Sequence, residues 1–120
     1  MVAPDLDLEP RAVVTTTRVM SDDVHTIWGR LLTEPRRWLG AGATFEPRTG
    51  GRIAADGSVG IVRRIEPLLA IEWEWSADGD PGWSIVELTL DDTADGVVVT
   101  VVETLMHWEF ETLPAVEATR

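Results

Sequence analysis

The sequence of 120 residues predicts a single α+β domain built on an antiparallel sheet of six to seven strands. Three observations carry that reading. One amphipathic helical stretch near the start gives way, after about residue 50, to runs in which apolar residues recur at every second position. Each run stops at a turn-forming dipeptide or cluster, so successive runs pair as hairpins and not as parallel crossovers. The hydrophobic share is 44% with no cysteine, and a chain of this length buries a core without disulfide or metal staples.

Residues 1–10, with two prolines and three acids and no period, read as a mobile lead-in, and residues 11–120 as the domain. The β-branched run VVTTTRV within 12–20 makes the first strand. Ser21 offers a side-chain oxygen to a following helix, and Asp22 and Asp23 sit where a helix dipole favours negative charge. Val24, Ile27, Trp28 and Leu31 form one apolar stripe, with His25, Thr26, Gly29 and Arg30 facing outward or sideways. Thr33 is placed to cap a short turn starting near Pro35, after which Trp38 and Leu39 form an apolar knob.

Beyond Gly50 and Gly51, residues 52–55 and 58–65 flank the turn pair Asp56-Gly57 and read as a hairpin. Leu69, Ile71, Trp73 and Trp75 alternate with Ala70, Glu72, Glu74 and Ser76, which describes a half-buried strand. Val86, Leu88 and Leu90 then share one face of the next strand, and a turn is expected around 91–96. In the last strand Val97, Val99, Val101, Glu103 and Leu105 share one face and Val98, Thr100 and Val102 the other, so this strand is expected to be central or covered on both faces. The segment from Met106 fits either a strand extension or a short helix.

A net charge of −11 repels phosphate backbones and anionic membranes, which argues against nucleic-acid and membrane partners. Neither a secretory leader nor an apolar run of bilayer length is present, so a cytoplasmic location is expected. Without cysteine, and with only His25 and His107 at no metal-ligand spacing, neither a metal site nor a cofactor is expected. No serine-hydrolase or dinucleotide motif stands in a fitting context, and no catalytic residue is assigned. Arg36, Arg37, Arg48, Arg52, Arg63 and Arg64 form the one basic concentration. They read either as a rim balancing Glu34, Glu46 and Glu66 or as an anion-binding lip.

The order of a helix ending Ile27, Trp28, Leu31, Leu32, then Thr33-Glu34-Pro35, Trp38-Leu39, Gly50-Gly51-Arg52 and a Trp-rich strand resembles the SRPBCC, or START-like, superfamily. Within it the order is similar to the branch of heat-shock-protein-90 ATPase activator homologues. The resemblance implies a helix-grip fold, in which a curved sheet grips a long C-terminal helix around a ligand cavity. Here only fifteen residues follow Leu105, so that segment is expected to be truncated. A sheet face left bare in this way predicts a homodimer in which residues near 105–113 cover the neighbour.

The six tryptophans, with no tyrosine, are either core or cavity lining. In the cavity reading, Trp28, Trp73 and Trp75 line it with Val99 and Val101, Trp38 and Trp83 stand at its mouth, and Glu103 or Arg63 orients a polar group of the ligand. Glu103 would then lie on a low-dielectric face as a polar anchor or general acid/base, unless it reaches water at the strand end. Three functions follow: binding of a small hydrophobic molecule, a polyketide cyclase or hydratase-like reaction through Glu103, and a module acting on a chaperone partner.

Overall fold

The connection between the first two strands decides the architecture. The computed structural model describes residues 10–77 and 82–106. Seven strands form one antiparallel sheet: β1 Pro10–Met20, β2 Thr44–Phe45, β3 Arg52–Ala55, β4 Ser58–Glu66, β5 Ala70–Ala77, β6 Trp83–Thr93 and β7 Gly96–Met106, in the order β1-β7-β6-β5-β4-β3-β2. The first two strands therefore occupy opposite edges, roughly 29 Å apart at about 4.8 Å per inter-strand step. Their link has to cross one face of the sheet, and it does so with helix α1, Val24–Thr33, and a 3-10 turn over Pro35–Arg37. The result is an α+β curved sheet with one helix laid over it, as the alternation of the sequence predicts.

Helix α1 is held by its ends and by one stripe. Its N-cap is Asp23, not the expected Ser21: Asp23 Oδ1 accepts from the Thr26 amide at 2.9 Å. That bond, ahead of a second one from the Thr26 hydroxyl, holds the Asp23 carboxyl below the usual carboxylate range. Thr33 likewise does not cap the following turn. It ends α1 and donates its hydroxyl to the Gly29 carbonyl at 2.8 Å, while Glu34 occupies the cap position of the turn without a side-chain capping bond. Ile27, Trp28 and Leu31 face the sheet and are buried.

The core is the concave face. Ile53, Val62, Ile71, Trp73, Val86, Leu88, Leu90 and Val97 pack with the three α1 residues in one cluster. β7 is paired on both sides, by β1 and β6, so it is central in the sheet, one of the two placements that its pattern predicts. Leu69 was expected inward with Ile71, Trp73 and Trp75, but it lies in the β4–β5 turn and is 57% exposed. Leu68, at φ 69°, packs against the core instead. A register shift between Val62 and Arg64 bulges β4, and such an extra residue bends its strand.

The convex face is organised by charge. Arg64 reaches Glu66 at 3.0 Å, Glu72 at 3.2 Å and Glu87 at 2.5 Å. Hydrogen bonds donated to Glu72 and then Glu66 hold its guanidinium above the ordinary arginine value. Away from this face, Arg37 with Glu34 in the 3-10 turn and Arg48 with Glu46 are further balancing pairs that the sequence suggested.

Candidate functional site

Two tryptophan-rich and valine-rich halves of the concave face meet under the 3-10 turn, and only one of them is open. On the β2–β5 side the rings of Phe45, Trp38, Trp73 and Trp75 form an edge-to-face chain with centroid separations of 5.5, 5.7 and 5.6 Å. Such pairs add to simple burial. Trp38 Nε1 donates to the Leu31 carbonyl at 2.9 Å, tying the turn to the end of α1. Trp73, 2% exposed, keeps an Nε1–H with no hydrogen-bond partner among the described residues.

On the β1–β7 side a cleft of about 460 Å³ remains between α1, the 3-10 turn and the sheet. Leu88, Val99 and Val101 form its floor, and Ile27 and Leu31 of α1 with Trp38 form its roof. Thr16, Arg18 and Met20 of β1, Arg30 of α1 and Arg37 of the 3-10 turn complete the wall. The local reason for the opening is side-chain size. β7 presents valines and β1 presents Thr16 and Arg18 to this half of the face, where the other half receives indole rings.

The nine residues singled out from the sequence do not stay together. Trp38, Val99 and Val101 line the cleft together. Trp28 and Trp73 are core side chains, 8% and 2% exposed, and fill space next to it. Trp75 extends the ring chain, whereas Trp83 lies with Val59 and Ile61 along a depression on the convex side. Arg63 does not turn inward: its guanidinium pairs with Glu74 at 2.7 Å on the convex side.

Glu103 takes the position that alternation assigns to it. It stands between Val14 of β1 and Val86 of β6 on the concave face, half-buried, with no ion pair or hydrogen bond among the described residues. It lies one same-face step beyond Val101, roughly 7 Å along β7. Thr16, Arg18 and Arg30 were missed as site residues. The usable signal was the alternation of the first strand, which puts Thr16 and Arg18 on the face of Met20. Arg30 follows Ile27 by three residues and so lies beside the apolar stripe. Among the described residues no three His, Asp or Glu side chains come together to hold a metal ion. No helix among them is long and apolar enough to cross a membrane.

A curved antiparallel sheet with a helix across its concave face, and a cleft between them, defines a helix-grip protein. The sequence matches the model of the family described as Activator of Hsp90 ATPase homolog 1-like protein over residues 21–118. The chain belongs to that family, which lies within the SRPBCC superfamily.

Solved structures agree on the fold. CalU16 from Micromonospora echinospora is similar with a TM-score of 0.67 and 22% identity, over 82% of this chain and 63% of its own. This chain thus spans less than two thirds of CalU16. Protein MLL2253 from Mesorhizobium loti is similar with a TM-score of 0.64 and 29% identity, over 77% and 75% of the two chains. The Aha1 dimer from Colwellia psychrerythraea gives 0.63 and 13%, over 76% and 74%. The chain matches none of the curated proteins.

Proposed function

We propose that this chain binds a small hydrophobic molecule, a lipid or an aromatic metabolite, in the cleft between α1 and the β1–β7 side of the sheet. The observation that carries the reading is the contrast within one face: the ring chain fills its own half, and the valine floor beside it is left uncovered over about 460 Å³. That volume falls in the range of roughly 300–1,000 Å³ typical of small-molecule sites. Apolar burial would supply the affinity, at about 25 cal/mol per Å² removed from water.

Trp38 makes the test direct, because its indole lines the cleft while Trp28 and Trp73 are shielded. Titrating the protein with fatty acids, sterols and fused-ring aromatics should change its tryptophan emission for at least one class. A response that is flat across the panel removes the reading. Capture of a chaperone from lysate with no bound small molecule in native mass spectra would favour the partner-module reading instead.

One observation supports a catalytic variant of the same site. The Glu103 carboxylate, between Val14 and Val86 and without a partner among the described residues, is placed to give or take a proton from a guest that extends past Val101. In that variant a cyclase- or hydratase-like turnover disappears in Glu103→Gln. The Colwellia relative was solved as a dimer. The predicted homodimer belongs to this proposal too, with Val14 (51% exposed) and Leu105 (38%) as the surface to be covered and light scattering as its test. Residues 107–113, which were expected to do the covering, lie outside the described residues.

A further inference from the structure

All ten basic residues of this acidic chain are arginines, and three of them, Arg18, Arg30 and Arg37, line the cleft with the valine floor. No Asp or Glu lines it among the described residues. Against a net charge of −11, this is a local inversion of sign. Two of the three guanidiniums are already engaged, Arg30 by Asp22 at 2.6 Å and Arg37 by Glu34 at 3.1 Å. Arg18 is not: among the described residues it has neither an ion pair nor a hydrogen bond. In β1 it lies opposite Val99, on the face that carries Thr16 and Met20, at the margin of the valine floor.

We propose that the guest of this cleft is an amphipathic monocarboxylate whose carboxylate is gripped by Arg18. The inference rests on the small-molecule reading above and names its ligand class. A guanidinium presents paired N–H donors in a planar fork that matches a carboxylate, so one free arginine fixes both the position and the orientation of such a head group. Thr16, two residues away on the same face, adds a hydroxyl beside it. Arg30 and Arg37 contribute positive potential although their own carboxylate partners hold them.

The apolar body of the guest then runs over Val99 and Val101. Polarity along this line is graded. Arg18 is level with Val99, and Glu103 is four residues further along β7, roughly 14 Å away. A carboxylate bound in the reverse direction would face Glu103 and be repelled, so the arginine end takes the head and the other end takes the tail.

An inward-pointing charge on an edge strand has a second use, which is to discourage sheet edges from pairing with each other. The experiment separates the two. Decanoate, decan-1-ol and decylammonium, equal in chain length and different in head group, are titrated against the protein and against Arg18→Gln and Arg18→Lys. Tryptophan emission and calorimetry report binding, light scattering reports mass, and circular dichroism confirms the fold. We expect decanoate to bind about tenfold more tightly than the alcohol, decylammonium more weakly than either, and the preference to shrink as salt is raised. Arg18→Gln should bring decanoate down to the level of decan-1-ol and leave decan-1-ol unchanged, with Arg18→Lys in between.

If the alcohol and the carboxylate bind equally and Arg18→Gln alters neither, the hydrophobic site stands and this proposal falls. It also falls if Arg18→Gln only raises the mass. If none of the three probes binds to the unaltered protein, this proposal falls, and the small-molecule reading is decided separately by the sterols and fused-ring aromatics of the wider panel.

Discussion

The two halves of the concave face are built on the same sheet and roofed by the same helix, yet one is solid and the other hollow. On the β2–β5 side four rings interlock and Trp73 is 2% exposed; on the β1–β7 side Val99 and Val101 are half-buried and open to the cleft. Both are antiparallel ladders, each with one register shift, so the pairing pattern does not separate them. Side-chain volume does. Indoles close the gap under the 3-10 turn where they occur, and valine and threonine on the neighbouring strands do not reach across it. A helix-grip domain can thus set the position of a void by where its tryptophans stop.

Four substitutions or conditions break or sharpen that contrast. Trp73→Ala should be the most damaging, at about 3–5 kcal/mol of unfolding free energy, because it removes the centre of the ring chain. A loss under about 1 kcal/mol in a urea melt would mean that the solid half does not hold the domain together. Gly60→Ala comes next. Gly60 lies opposite Trp75, and an added Cβ collides with the Glu74 carbonyl oxygen and Trp75 Cβ. About 1–3 kcal/mol should be lost in the same melt, and a neutral result would show that β4 and β5 have room to separate.

Val99→Trp probes the hollow half. The new ring fills the cleft, so stability should stay within about 1 kcal/mol of the parent while binding of an apolar guest weakens by at least tenfold. Unchanged binding would move the site elsewhere.

The smallest effect belongs to the end of α1. The Asp23 carboxyl titrates below its usual value because it caps the helix, so the bond contributes stability above the ordinary carboxylate range and loses it as pH falls through the lowered value. Replacing Asp23 with Ala should lower the melting temperature by a few degrees at pH 7. That difference should fade as the pH drops below about 4, and a gap that persists at pH 2 would contradict the capping role.

Much of the fold was legible because period two and turn dipeptides are local signals. The Asp56-Gly57 hairpin and the inward set Val86, Leu88, Leu90 stand as read. Cap positions were not, since Ser21, Asp22 and Asp23 are all competent and the choice among them follows from where α1 meets the sheet. The site was half legible. Alternation put Val99, Val101 and Glu103 on the concave face, but it could not tell Trp38, which borders space, from Trp73, which fills it. That distinction depends on packing between residues far apart in the chain. Arg63 shows the same limit: beside the bulge in β4, strict alternation no longer tells which side it takes.

The pairing of β1 with β7 joins segments some eighty residues apart, and among the described residues β1 has no neighbour on its other side. Closing so long a loop is entropically the most demanding contact in the sheet, and a strand held along one flank detaches with less work than any held along two. Arg18 and Thr16 therefore ride on the hinge-like margin of the molecule. A guest that bridges this strand to the helix opposite would act as a clasp, tightening the edge by the same contacts through which it is recognised.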